Sequence, residues 1–459
     1  MLPCILLVLL SCFILFSTED LVAVALTSPQ DISALKAFKA SVKPSSIPPW
    51  SCLASWDFTT DPCAFPRRTH FTCGITCSPD STRITQLTLD PASYSGQLTP
   101  LISQLTGLTI LDLADNSFYG PIPSSISSLV NLQTLTLRSN SFSGAVPNSI
   151  TNLKSLQSLD FSHNYLSGYL PETMDSMSSL RRLDLSYNKL TGPLPKLPYS
   201  LLELALKANS LSGSLSKSSF DRLTQLEVVE LSENSFTGTL EPWFFLLPAL
   251  QQVDLSNNSL ARVEISKPSN ANSDLVAVDL GFNKIEGNAP LQFADYPLLS
   301  SLSLRYNRLR GTIPLEYGRK KSLRRLFLDG NFLIGKPPPA FFASDKSVSG
   351  SLGDNCLQAC PGSFQLCIPS QKPSSVCKQA YGGKPREKSL NAAALFWYGV
   401  AESAVACRWS GGQLECGGSF VLASDIFCLS SCPKSKHDIP TADSIWCSSE
   451  NSSPSTTRL

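Results

Sequence analysis

Leucines recur along most of this chain in pairs separated by one residue, each pair followed three positions later by asparagine, as in LDLSYN at residues 183–188 and LSLRYN at 302–307. Such alternation of apolar and polar positions has the period of a strand with one buried face. Aligned on the closing asparagine, the pattern gives Asn116, Asn140, Asn164, Asn188, Asn209, Asn234, Asn258, Asn283, Asn307 and Asn331, spaced 24, 24, 24, 21, 25, 24, 25, 24 and 24 residues apart. A degenerate earlier copy, LTLDPASYSGQL, carries Ala92 in the asparagine position, so about eleven units lie between residues 84 and 340. One such strand cannot bury its own leucines. Stacking the units at about 4.8 Å buries them and predicts an α/β repeat, a solenoid with a curved parallel sheet roughly 50 Å long. The asparagine amide is placed to satisfy backbone groups that the turn leaves unpaired, and Gly120, Gly144, Gly168 and Gly192 permit the bend that follows.

The fuller consensus, seen in LTILDLADNSFYGPIP and LSSLSLRYNRLRGTIP, resembles the plant-specific extracellular leucine-rich-repeat family of receptor-like proteins, receptor kinase ectodomains and polygalacturonase-inhibiting proteins. The resemblance spans residues from about 29 to 360. It implies a solenoid whose concave and lateral surfaces bind a protein or peptide without catalysis or cofactor, in signalling or defence. A cell-surface receptor kinase or a microbial wall-degrading enzyme is the kind of partner it implies.

The ends of the chain predict export and capping. MLPCILLVLLSCFILF supplies a short apolar core and Ala23 to Ala25 a small-residue cleavage point, so residues 1–25 are expected to be a signal peptide. No later stretch is long and apolar enough to span a bilayer. Residues 26–80 form the expected N-terminal cap. Ser28, Pro29 and Asp31 mark a helix start, and Ile32, Leu35 and Phe38 give it an apolar stripe. Cys52, Cys63, Cys73 and Cys77 follow, resembling the family's capping module together with Trp56, although PRRTHFT is an insertion; four cysteines allow three connectivities. The repeats occupy 81–350. From 351 to 459 a cysteine-rich cap and tail begins with Cys356, Cys360, Cys367 and Cys377. The two terminal cysteine clusters indicate an oxidising compartment and a structural role. Removal of the leader leaves thirteen of the 15 cysteines, an odd number that implies one free thiol or one intermolecular bridge. A zinc module at CLQAC or CLSSC is the weaker alternative, since export favours disulfides.

Charge and chemistry narrow the function. Lys and Arg number 37 against 36 Asp and Glu, so no global field recruits nucleic acid. GNFLIGKP, residues 330–337, matches a phosphate-binding loop except that Pro337 replaces the required hydroxyl residue, and Asn331 belongs to the repeat ladder. His70, His163 and His437 fall in different modules, which leaves little for a nucleophilic relay. Asp112, Asp160, Asp184, Asp254 and Asp279 share one repeat position and are expected to be a solvated strand face rather than paired catalytic carboxylates. No metal site is expected.

Positions two, four and six before each ladder asparagine should share the face opposite the buried leucines. That face begins with cationic Arg138, Arg182 and Lys207 beside His163 and Tyr187, passes an acidic stretch at Glu227, Glu230 and Glu233, and ends in Phe282, Arg305, Tyr306, Arg325, Phe327 and Asp329, with Arg324 at the edge. Arg305, Tyr306, Arg324, Arg325, Phe327, Phe282, Arg182 and Tyr187 are the candidate ligand contacts. The basic run Arg319, Lys320, Lys321 is a candidate polyanion site, and a wall protein held by pectin is the alternative function. Asn257 and Asn451 open glycosylation sequons. Two units break the pattern: the one ending at Asn209 is short, and in ARVEISKPSNANSDL Arg262 stands where glycine is expected.

Overall fold

The structure, a computed structural model, describes residues 27–59, 61–63, 74–268, 273–343 and 348–382, together with two strands at 407–410 and 413–416. The expected leader, Cys73, His70, His437, Asn451 and most of the tail lie outside these residues.

Thirteen strands form one sheet in chain order, each repeat adding one strand beside the last. Ile75–Cys77 pairs antiparallel with Ile84–Thr88, and each later strand adds in parallel through to Ser349–Ser351. The strands are three residues long within the repeats, as in Arg182–Asp184 and Ser301–Ser303, and their central leucines are buried. Leu111, Leu135, Leu159, Leu183, Leu204 and Leu302 thus stack in one column that no single repeat could close. Burying each such side chain contributes about 1.5–3 kcal/mol. A second sheet, which the leucine spacing does not announce, runs down the flank. It has seven strands, from Tyr119–Gly120 to Ser259–Val263, and short 3-10 turns such as Ser124–Ser128 and Asn148–Asn152 complete the crossing on the back.

The ladder asparagines hold successive repeats together. Asn307 Nδ2 donates to the carbonyls of Leu280 (2.9 Å), Leu304 (3.1 Å) and Arg305 (3.2 Å), while its Oδ1 accepts from the Ile285 N–H at 2.9 Å. One side chain thereby serves its own turn and the preceding repeat. The ladder continues one step beyond the leucine pattern: Asn355 Nδ2 donates to Leu328 O at 2.9 Å and Oδ1 accepts from Leu333 N–H at 3.0 Å.

Both caps are cross-linked. The expected helix forms at Pro29–Ser41, but the Ser28 side chain makes no capping bond. Asp31 is fully buried instead and grips the first long strand, its carboxylate accepting from Arg83 Nε (3.1 Å), Arg83 Nη2 (3.0 Å) and the Ile84 N–H (2.8 Å). Cys63 bonds Cys77, and Cys52 is also disulfide-bonded. At the other end Cys356–Cys377 and Cys360–Cys367 engage both cysteines of CLQAC, so neither remains as a thiolate for zinc. Helix Ser374–Tyr381 is tied back to the repeats by the Tyr381 hydroxyl, which donates to Phe332 O at 2.6 Å and accepts from Gly311 N–H at 2.9 Å. A separate unit beginning at residue 385 contains the antiparallel pair Cys407–Ser410 and Gln413–Cys416.

The irregular units have structural consequences. The short unit passes from Lys189–Gly192 to Glu203–Ala205 without a 3-10 turn. Arg262 continues an ordinary strand, pairing across a bulge, and the seven-stranded flank sheet ends there: among the described residues Glu286–Asn288 forms a separate two-stranded sheet with Arg308–Arg310. Among the described residues no helix is long and apolar enough to cross a membrane.

Candidate recognition site on the concave face

The residue before each ladder asparagine adopts a left-handed backbone, with φ of 53° at His163, 55° at Tyr187, 54° at Phe282 and 49° at Tyr306. Bulky residues seldom occupy that region, and the repeat turn imposes it here. The turn throws these side chains onto the rim of the sheet, where equivalent residues of neighbouring repeats meet face to face. His163 stacks on Tyr187 with centroids 4.2 Å apart, and Phe282 on Tyr306 at 4.7 Å.

The aspartate row has a specific structural task. Its Oδ1 atoms accept from the N–H two residues on, at 3.0 Å for Asp112, 3.0 Å for Asp160, 2.9 Å for Asp184, 3.0 Å for Asp254 and 2.8 Å for Asp279. Short side chains reach their own turn, which is the geometry of an Asx turn. The row is therefore half-buried rather than simply solvated, and burial pushes the carboxyls of Asp112, Asp184 and Asp279 above their ordinary values. Glu230 occupies the same register, paired across from Asp254. Its extra methylene carries the carboxylate past the turn, so it has no hydrogen-bond partner among the described residues, and the Ser232 hydroxyl beneath is buried and unpaired. Burial, reinforced by Asp254 and Asp184, raises the Glu230 carboxyl as well.

Two hollows open on this face and share Glu230. One, of about 310 Å³, is lined by Asp160, Arg182, Asp184 and Glu203. The larger, of about 440 Å³, runs from Glu230, Asp254 and Asp279 to Arg325 and Phe327. It has a carboxylate end and a guanidinium end.

Most concave cations are already paired within the protein. Arg138 meets Asp115 of the preceding repeat at 2.9 Å, while Arg182 meets Glu203 at 3.0 Å and Lys207 meets Glu233 at 3.2 Å, both on the following repeat. Arg305 donates to Asp329 Oδ2 at 2.9 Å, and Asp329 is 1% exposed. The Arg305 guanidinium also lies 5.6, 5.4 and 5.3 Å from the ring centres of Phe282, Tyr306 and Phe327. Three rings and a buried carboxylate hold it, while Arg305 Nε and Asp329 Oδ1 stay buried without hydrogen-bond partners among the described residues. Arg324 and Arg325 are exposed and free of ion pairs among the described residues, and Arg325 lines the larger hollow. Of the basic run behind the sheet, Lys320 donates to the carbonyls of Tyr296 and Ala294, and burial pushes its ammonium below the ordinary value; Arg319 and Lys321 are exposed. Among the described residues no group of three His, Cys, Asp or Glu is placed to hold a metal.

The partnership of Arg305 with Asp329 and the isolation of Glu230 were not singled out from sequence. A partner one full repeat away is visible only after the repeats are stacked, whereas Glu in place of Asp at residue 230 was a signal open to inspection.

Family models for leucine-rich repeats match residues 107–129, 130–190 and 200–260, and one for the leucine-rich-repeat N-terminal domain matches 28–78. Receptor-like protein 7 of Arabidopsis thaliana is 39% identical over 62 residues, 14% of this chain and 6% of that protein. The solved complex of PEPR1 with AtPEP1 aligns with a TM-score of 0.63 and 32% identity over 71% of this chain and 45% of that one. The plant peptide hormone receptor RGFR1 in complex with RGF2 aligns with a TM-score of 0.55 and 31% identity, over 60% and 44%. The chain thus spans under half of these solved receptors and a small part of the curated relative.

Proposed function

Because this chain is a leucine-rich-repeat protein similar to extracellular plant receptor-like proteins, we propose that it is a recognition module that binds an extended peptide across its concave face outside the cell. The carrying observation is the larger hollow, whose two ends bear opposite unpaired charges. At one end Arg325 faces solvent without an ion-pair partner among the described residues, beside Phe327 and the Tyr306 rim; at the other Glu230 projects a carboxylate that nothing in the turn uses. A carboxylate on the ligand would form two parallel hydrogen bonds with Arg325, flanked by an aromatic ring that excludes water. A lysine or arginine several residues along the ligand would then lie against Glu230. Arg305 supports this end by fixing the rings, its own charge being already matched by Asp329. The similar receptors solved with PEP1 and RGF2 support a peptide as the ligand class.

The test is selection of ligands from a displayed random-peptide library on the secreted, disulfide-bonded chain. Selected peptides are expected to pair an acidic or C-terminal carboxylate group with a basic residue. Arg325→Glu and Glu230→Lys should each weaken the selected peptides more than about tenfold, and reversing the matching peptide charge should restore part of the loss. Saturable binders indifferent to both substitutions would place recognition on another face.

A further inference from the structure

Asn257 is followed by Asn258 and Ser259, an N-x-S acceptor pattern, and its side chain is exposed at the rim position, φ 53°, with no hydrogen-bond partner among the described residues. The next rim residue is Phe282, tied to it through backbone bonds from Asn257 N–H to Gly281 O (3.0 Å) and from Asn258 N–H to Phe282 O (3.2 Å). Rim side chains lean toward the following repeat. The Tyr306 ring lies so far over Gly330 that a Cβ there would sit 2.5 Å from it, and Phe282 covers the near face of Tyr306 at 4.7 Å, with ring planes 11° apart. The stack therefore runs from Phe282 through Tyr306 to Gly330. Its first ring is 44% exposed, and Asn257 is the rim residue of the repeat on the side away from Tyr306.

We propose that Asn257 carries an N-linked glycan whose first sugar packs on the open face of Phe282. This rests on the extracellular assignment above, since the modification occurs on export. The Asn257 amide nitrogen bonds to C1 of the sugar as the C1–oxygen bond to a polyprenyl-diphosphate donor breaks. The amide loses one proton, and the diphosphate leaves with the electron pair of the broken bond. A pyranose presents a face of C–H groups, which suits the negative face of an aromatic ring and removes apolar surface from water. Tyr306 obtains this cover from Phe282 on one side and from Gly330 on the other. Phe282 obtains it from the glycan, so its exposure is a seat for a covalent group rather than a ligand contact, and the glycan bounds the ligand path beside Asp254.

Two measurements test this on the secreted full chain. The intact mass and the peptide containing Asn257 should show one oligosaccharide, lost in Asn257→Gln and in Ser259→Ala, the second leaving Asn257 itself in place. In the Phe282 background each substitution should lower the melting temperature by about 2 °C; in the Phe282→Ala background neither should change it. A secreted chain with Asn257 unmodified overturns the proposal while leaving peptide recognition intact. Equal melting shifts with and without Phe282 overturn the packing. A chain that is never exported overturns both this and the extracellular function.

Discussion

At the scale of single residues, the same letter can be a joint or a surface group depending on one carbon. Asp184 reaches back to its own turn, whereas Glu230 at the equivalent position does not, and its carboxylate is exposed without a hydrogen-bond partner among the described residues. The ladder asparagines show the reverse economy of one side chain serving several backbone groups. Asn188 Nδ2 donates to Phe161 O (3.0 Å), Leu185 O (3.1 Å) and Ser186 O (3.2 Å), and Oδ1 accepts from Leu166 N–H at 2.9 Å. Leucine there would strand these partners in a half-buried turn, so Asn188→Leu is expected to cost about 1–3 kcal/mol of stability. Chemical denaturation that shows no loss would remove the structural role given to the ladder. That role was readable from periodicity, because a polar residue recurring after buried leucines must find partners inside. Asp31 was less readable: its place near a helix start suggested a cap, but Arg83 and Ile84 lie 52 and 53 residues away in sequence and claim the carboxylate.

At the scale of elements, the inner sheet was legible and the flank sheet was not. The inner strands announce themselves by alternation of leucine with polar residues. The flank strands, such as Ser141–Gly144 and Ser210–Gly213, bury a single residue each and depend on the repeats on either side for pairing. Their closing glycines separate two effects that a sequence cannot distinguish. Gly192 has φ +82° and a Cβ there would meet the Tyr169 ring at 2.6 Å; Gly287 has φ +101° and a Cβ would meet nothing within 4 Å, because the flank sheet is interrupted beside it. Alanine at either site carries the backbone strain, on the order of 1 kcal/mol. Only Gly192→Ala must also displace a ring, an exposed one that can swing away. Its destabilisation should therefore exceed that of Gly287→Ala by about 1 kcal/mol, and in Tyr169→Ala the difference should vanish. Equal losses in the parent chain would mean that the ring moves at no cost.

At the scale of the whole molecule, a solenoid accumulates like positions, and the concave face consequently carries carboxyls, those of Asp112, Asp184, Glu230 and Asp279, whose ionisation the fold resists. The candidate site was partly legible for this reason: counting back from the asparagines placed Arg325 and Phe327 on the concave face and Tyr306 at its rim, but not which charges are matched within the protein, since those partners stand one repeat apart. The raised carboxyl of Glu230 makes the conflict between stability and binding measurable. A carboxyl with a higher value in the folded state binds more protons folded than unfolded, so its contribution is favourable below the ordinary value of 4.5 and is lost as pH rises through the raised one. Glu230→Gln removes the ionisable group while keeping its shape. The variant should melt higher than the parent at pH 7, and the gap should close as pH falls below about 4.5, where Glu230 is neutral in both states. Peptide affinity should move the opposite way, with the variant weaker at pH 7 and the difference fading on acidification as the parent loses its charge. Melting curves and affinities across that interval decide the matter. A variant less stable than the parent at pH 7 would show that the Glu230 carboxylate is engaged within the repeat structure, and it would withdraw this residue from the binding face.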